Sequence, residues 1–327
     1  MSKNFLDGKT ILITGGTGSF GKNFIKQILH NTKVKKVIIF SRDELKQFQM
    51  QKEILDKRLR FFIGDVRDLS RLHMALATVD IVVHAAALKQ VPIVEYNPFE
   101  AVKTNIIGSQ NIIEAAIDQG VSKILLISTD KAAYPGNLYG STKLCAEKLF
   151  VAANSYAGQK NRFSVVRYGN VIGSRGSFVE SLLSKKEGEI IEITDPSMTR
   201  FWINLNQSYQ LVMFALQEME GGEIFVPKIP SMKITDVVEA IAPRARHKII
   251  GIRPGEKLHE VLLTDEEAKH TVCFKNNFVI FPEFPFWSAT RYKKYFKNGQ
   301  KVKKDFCYSS QGNSEWLSPS MLKKLLK

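Results

Sequence analysis

Tyr139 and Lys143 stand four residues apart in NLYGSTK, a spacing that puts both side chains on one face of a helix. An ammonium beside a phenol lowers its pKa from the usual ~10, which suits the pair to exchanging a proton with a substrate hydroxyl. Tyr-x-x-x-Lys also arises by chance, and an ordinary surface pair is its bland alternative. Here it follows Ser128 and Thr129 at the end of an apolar run, with a glycine-rich turn far upstream, and these neighbours favour catalysis. Asp130 and Lys131 come next, an acid and an amine side by side. A hydroxyl, a phenol and one lysine handle one proton; an added acid and base imply a second transfer.

The upstream turn, TGGTGSFG, closes the run KTILIT and opens a helical stretch, placing Gly15, Gly18 and Gly21 three residues apart around Thr17, Ser19 and Phe20. Glycines there let the backbone approach a pyrophosphate, whose charge is favoured by free amides and the positive end of the helix dipole. Alone, such a triplet can be a structural turn. Between a buried strand and a helix it points to dinucleotide binding, and its GxxGxxG spacing resembles the short-chain dehydrogenase/reductase superfamily. The second strand ends in Ser41, Arg42, Asp43, Glu44, Leu45, Lys46. Arg42 and Lys46 suit a 2′-phosphate, so NADP is expected over NAD, with Asp43 leaving NAD open. The superfamily resemblance implies adenine contacts at Asp65 and Val66, and cofactor contacts at Ala85, Ala86, Lys89, Thr104 and Asn105.

These motifs need a rigid frame. KTILIT, KKVIIF, RFFIGD, DIVVHAA, KILLIST and FSVVRYGN are short and β-branched, and they alternate with longer amphipathic stretches. Strand, helix, strand repetition predicts an α/β fold, a Rossmann-like doubly wound parallel sheet over residues 1–170. Beyond Asn170 the elements shorten and prolines punctuate them, predicting a smaller mixed α/β substrate domain over 171–327, with later segments free to rejoin the sheet. The length, 327 residues, fits two such units. Three scattered cysteines without CxxC spacing exclude a disulfide framework and a thiolate zinc site. The opening MSKNFLDGKT has no signal-peptide pattern, and no run reaches the length of a membrane span, so a reducing cytoplasm is the expected setting.

The formal charge of +15 leaves partners open, since basic chains bind nucleic acids, membranes or small polyanions. The most basic stretch, RYKKYFKNGQKVKK, interleaves Tyr292, Tyr295 and Phe296, but no reader motif accompanies it, so a solvated basic face is expected rather than nucleic-acid or membrane binding. His259 and Glu260 lack the second histidine of HExxH, and no metal site is expected; His84 reads as a packed core residue.

Across nearly the whole chain, TGGTGSFG, SRDELKQ, FFIGDVRD, HAAALK, EYNPFEAVKTN, STDKAA, NLYGSTK, VVRYGNVIGSRGS, MTRFW, GGEIFVPKIPSMK and IIGIRPGEKLHE resemble the inverting UDP-N-acetylglucosamine 4,6-dehydratases. Members of that family feed pseudaminic acid and related deoxysugar pathways, including flagellin glycosylation. The resemblance implies that Tyr139, positioned by Thr129, deprotonates the C4 hydroxyl as hydride leaves C4. It further implies that Lys131 abstracts the C5 proton, that Asp130 protonates the departing C6 hydroxyl, and that C5 is inverted. Retaining dehydratases carry Asp then Glu where this chain has Asp130 and Lys131.

A lysine base must lose about three pKa units, roughly 4 kcal/mol, to be half-neutral near pH 7. Burial, Lys143 and a cationic cofactor act that way; an ionised Asp130 opposes them.

For a UDP-sugar, the resemblance implies Arg253 on the diphosphate, Glu256 on ribose and Asn170 near the sugar. Arg175 and Arg200 are further diphosphate candidates, since guanidinium forks match its oxygens, and Lys89 borders cofactor and substrate. Gln90 and Tyr134 depart from the family pattern, and the usual proline after SRGS is missing, which bears on the C2 substituent. A homo-oligomer is implied. The rivals are a nucleotide-sugar C4 epimerase or reductase, which needs no Asp130 and Lys131, and a non-enzymatic NADP-sensing or nucleic-acid-binding regulator.

Overall fold

The computed structural model describes residues 4–158, 160–185, 189–283 and 289–326; Met1 to Lys3, part of the opening read above, lie outside that set. The first half alternates as expected: β1 (Thr10–Thr14), α1 (Ser19–Asn31), β2 (Lys36–Ser41), α2 (Glu44–Glu53), β3 (Leu59–Ile63) and α3 (Leu69–Leu76). Then come β4 (Ile81–His84), α4 (Val91–Tyr96), α5 (Pro98–Ala101), α6 (Gly108–Asp118), β5 (Lys123–Thr129), α7 (Leu138–Ala153) and β6 (Arg162–Tyr168). All five residues of β1 are buried, as a strand covered on both faces requires. Side chains define several helix starts: Asp43, Asp68 and Asn137 each accept an amide of the first turn of α2, α3 and α7.

The strands form one ten-stranded sheet in which β3, β2, β1, β4, β5 and β6 lie in that order and run parallel. The order reverses between β1 and β4, and the carboxyl edge there is where an open α/β sheet leaves a crevice.

Beyond β6 the sheet continues. Ile224–Pro227 pairs parallel with β6, and Asn277–Ile280, Thr271–Cys273 and Gln300–Lys301 add antiparallel strands. Residue 170 is therefore where the chain first leaves the sheet, not where the sheet ends. A separate apolar cluster, with Ile172, Val179, Ile191, Trp202, Val237 and Leu322 buried in it, forms the core of the smaller lobe.

The basic stretch is only partly a solvated face. Tyr292 and Tyr295 pack into the main core, and their hydroxyls donate to Gly221 and Glu218 carbonyls at 2.8 and 2.5 Å, so neither ring is free to stack on a base. Among the described residues no helix is long and apolar enough to cross a membrane.

Candidate active site

The turn after β1 is shaped by backbone. Gly15 has φ +65°, and a Cβ there would sit 3.0 Å from the Ala85 and Ala86 backbone. A Cβ on Gly21 would come within 2.6 Å of Gly16, so only glycine lets α1 pack this close to the turn. Gly18 caps α1 without a side chain, leaving first-turn amides for an anion. A cleft of about 670 Å³ opens from there, and every cofactor residue expected from the sequence borders it except Asn105. Two hydroxyls in its wall, Thr104 Oγ1 and Ser128 Oγ, are buried without a protein partner. The glycine cradle and the unpartnered hydroxyls fit a dinucleotide.

Asn105 is corrected to a brace. It accepts from the Leu88 amide at 2.8 Å, donates to the Leu88 carbonyl at 2.9 Å and donates to Thr142 Oγ1 at 3.0 Å, holding the loop after β4 against α7. Thr104 and Asn105 lie in a π-helical turn, Val102–Ile107, between α5 and α6. Such turns are frequent at functional sites and have no simple sequence signature. At the rim, Arg42 Nη1 lies 3.5 Å from Asp65, and Lys46 pairs with Asp43, the cap of α2.

Opposite, β5 delivers Ser128 and Thr129 to a tight turn, Asp130–Ala132, and α7 begins six residues later. Gly140 is what brings helix and turn together: a Cβ there would lie 2.2 Å from the Lys131 carbonyl oxygen. Tyr139, Thr129, Lys131 and Lys143 all border the cleft. Lys143 donates to the Ile127 carbonyl at 2.8 Å, and burial lowers its pKa to about 8 against the pull of Glu147. The expected effect of Lys143 on Tyr139 is corrected. Burial pushes the phenol up to about 12, and the groups that draw it down are Lys131 and a hydrogen bond with Thr129.

Lys131 is held between two carboxylates. Its Nζ lies 3.0 Å from Asp130 Oδ1 and 3.3 Å from Glu260 Oε1, with Asn170 Oδ1 at 3.4 Å. Burial alone would lower its pKa, but Asp130 and Glu260 reverse this and raise it above the usual lysine range, the opposite of the expected direction. Asp130 is fully buried, does not border the cleft, and is raised by burial; its Oδ2 has no protein partner. Burial would raise Glu260 too, yet Lys131, Lys257 and Arg200 bring it down to about 2.

Two arginines expected on the diphosphate are placed otherwise. Arg200 is buried, donates to the Thr199 and Leu258 carbonyls at 2.7 and 3.1 Å, and stands 3.9 Å from Glu260, outside the cleft wall. The guanidinium is consumed by the fold. Arg253 is exposed, 3.8 Å from Glu192, and does not border the cleft. Glu256 does not border it either, but its Oε2 is buried without a protein partner. Lys89, Asn170 and Arg175 do line it; Lys89 Nζ donates to the Arg175 carbonyl at 2.9 Å, and the Arg175 amide donates to Ser19 Oγ. His84 is a core residue as expected, buried, hydrogen-bonded to Thr14 at 2.7 Å and stacked on Phe150.

Residues 11–282 match the family model described as polysaccharide biosynthesis protein. An inverting UDP-N-acetylglucosamine 4,6-dehydratase of Campylobacter jejuni subsp. jejuni (serotype O:23/36, strain 81-176) is 52% identical over 97% of this chain and 96% of its own. The chain belongs to that dehydratase family, within the polysaccharide biosynthesis proteins. A solved structure, Pen from Bacillus thuringiensis, superposes with a TM-score of 0.89 at 38% identity, covering 98% of each chain. A UDP-glucose 4-epimerase of Rickettsia conorii is 40% identical over 91% of this chain and 89% of its own.

Within this dehydratase-family chain the sequence reading missed Glu260, Lys257, Gly140 and Asn137. Lys257 Nζ lies 2.8 Å from Glu260 Oε2 and donates to the Ala133 carbonyl at 2.9 Å, while Asn137 donates to the Gly255 carbonyl at 2.8 Å. The segment RPGEKLHE thus docks on the turn that carries Asp130 and Lys131 and on the start of α7. The one signal it offers in sequence is the density of charge in a glycine-bearing loop.

Proposed function

We propose that this chain carries out the inverting 4,6-dehydration of UDP-N-acetylglucosamine with C5 epimerisation, giving UDP-2-acetamido-2,6-dideoxy-β-L-arabino-hex-4-ulose. The observation that carries the reading is a phenol and a lysine–carboxyl hydrogen bond, Lys131 Nζ to Asp130 Oδ1 at 3.0 Å, at one end of a dinucleotide-type cleft. A nicotinamide dinucleotide bound there would supply an acceptor for the C4 hydride and return that hydride at C6, making the reaction redox-neutral. The turn from Gly15 to Gly21, Arg42, Lys46, Asp65, Val66, Thr104 and Lys143 are the residues that would hold it.

Tyr139 takes the C4 hydroxyl proton. Burial holds its phenol up at about 12, and the positive charge of a bound cofactor would draw it down toward the phenolate that accepts that proton. The resulting ketone acidifies C5, whose proton passes to Lys131 while Asp130 gives its own to the C6 hydroxyl, which departs as water. Both groups must first be neutral. The ion pair reaches that state by moving one proton from Nζ to Oδ1; burial favours the uncharged form of each group, while the charge of Glu260 opposes it at Lys131. Reprotonation of C5 from the opposite face, by a proton drawn from solvent, completes the inversion.

We further infer NADP rather than NAD, supported by Arg42 and Lys46 at the rim. Cytoplasmic location, homo-oligomeric assembly and service to pseudaminic-type deoxysugar synthesis are inferred from the family resemblance.

The Rickettsia relative favours a second reading, C4 epimerisation, which would use Tyr139, Thr129 and Lys143 and leave Asp130 and Lys131 idle. Lys131→Ala separates the two. It is expected to bind NADP(H) and UDP-N-acetylglucosamine yet lose dehydration by about 10²-fold or more. Undiminished 4-keto-6-deoxy product would refute the assignment, and C4-epimerised sugar with no loss of water would favour the second reading.

A further inference from the structure

Lys131 is gripped from outside its own turn by a carboxylate that does not itself border the cleft. Glu260 is buried at 2% exposure and does not belong to the cleft wall. Its Oε1 faces Lys131 Nζ at 3.3 Å, its Oε2 faces Lys257 Nζ at 2.8 Å, and Arg200 Nε stands 3.9 Å from Oε1. Its backbone is fixed on both sides, the amide donating to Ser310 Oγ at 2.9 Å and the carbonyl accepting from the Ser310 amide at 2.7 Å. Around Lys131 the other charged and titratable groups are Asp130 on its own turn, Tyr139 on α7, Lys89 after β4 and Arg200; Asn170 adds a neutral acceptor.

Two anions therefore share one ammonium, and only one of them, Asp130, is asked to act as an acid. We propose that Glu260 is a positioning residue that keeps Lys131 in its ammonium form in the resting enzyme and so decides where the proton shared with Asp130 lies. The proposal rests on Lys131 as the C5 base. In the step it governs, an N–H bond of Lys131 breaks and an O–H bond of Asp130 forms, which balances within the pair; the same charge also holds the additional proton that the pair takes up in acid, and so sets the pH at which turnover begins. The charge of Glu260 holds that proton on nitrogen; Lys257 and Arg200, as neighbouring cations, push it toward oxygen. Glu260 acts through Lys131 and not on the sugar, so it should govern the pH at which turnover begins more than substrate affinity.

The test is kcat for dehydration of UDP-N-acetylglucosamine by the NADP-loaded enzyme as a function of pH, for the parent chain, Glu260→Gln, Glu260→Asp, Lys257→Gln and Lys131→Ala. Removing the anion should move the acid limb of the profile in Glu260→Gln down by about one pH unit, about a tenfold gain in the fraction of maximal kcat at a fixed pH on that limb, with KM little changed. Glu260→Asp should restore the parent midpoint at a lower plateau. Lys257→Gln, which removes a cation, should move the limb the other way. A folded Glu260→Gln whose midpoint matches the parent overturns the proposal, provided Lys131→Ala abolishes dehydration. If Glu260→Gln does not fold, an unshifted or downward limb in Lys257→Gln overturns it instead. Continued dehydration by Lys131→Ala would sink the base assignment itself, a different failure from that of Glu260.

Discussion

The two ends of the cleft are built on different physics. At the phosphate end the recognition surface is backbone: Gly15 at φ +65°, Gly21 against Gly16, and an uncapped helix start. The charges there stand at the rim, where Arg42 has a side chain 52% exposed and water and salt screen it. At the catalytic end the backbone matters mainly as a mount, and the working parts are buried charges. Asp130 is 0% exposed and Glu260 2%, with Lys131, Lys257 and Arg200 around them. Breaking one pair there leaves an uncompensated buried charge, typically about 3–5 kcal/mol. A local backbone device tolerates change around it, whereas a buried ionic cluster couples every member to the others.

That contrast yields graded expectations. The largest effect belongs to Tyr139→Phe, which removes the proposed proton acceptor for the C4 hydroxyl and should cost about 10³-fold in kcat with cofactor affinity retained, measured by steady-state turnover and a binding titration. Next comes acid stability. Because the Glu260 pKa is depressed from 4.5 to about 2, its contribution is fully present above pH 4.5 and is lost as pH falls toward 2. Thermal melts should show roughly 3 kcal/mol less stability across that window, and Glu260→Gln should flatten the dependence there. Gly140→Ala should destabilise by about 1–3 kcal/mol and displace Tyr139 from the turn, seen as a lower Tm together with a loss of kcat. Gly15→Ala, forced into a left-handed conformation, should weaken dinucleotide binding by about tenfold, about 1.4 kcal/mol, without touching the pH profile. The smallest effect is at the rim, where Arg42→Ala should weaken NADP a fewfold, below about 1 kcal/mol, and leave NAD unchanged. A Gly15 variant that moved the pH profile would break the contrast between the two ends.

The same contrast explains what could be read from the chain alone. β1 to β6 were legible because a buried parallel strand is a continuous apolar run, and the glycine turn was legible because its whole logic lies within eight residues. Tyr139, Lys143, Asp130 and Lys131 were legible for the same reason. Glu260 was not, since it reaches Lys131 from 129 positions along the chain and its neighbour Lys257 carries no motif that names its target. Arg200 and Arg253 lie away from the cleft wall because a guanidinium that suits a diphosphate also suits backbone carbonyls and a surface carboxylate. Asn105 looked like a cofactor contact until a π-helical turn directed it at Leu88.

Incubation of the protein with UDP-N-acetylglucosamine in deuterated water, followed by NMR, tests most directly whether Lys131 and Asp130 expel water without net oxidation. Deuterium at C5, a C6 methyl in place of the hydroxymethyl group and an inverted C5 are the predicted result. Unchanged sugar, or a C4 epimer that keeps its C6 hydroxyl and its C5 proton, would contradict it.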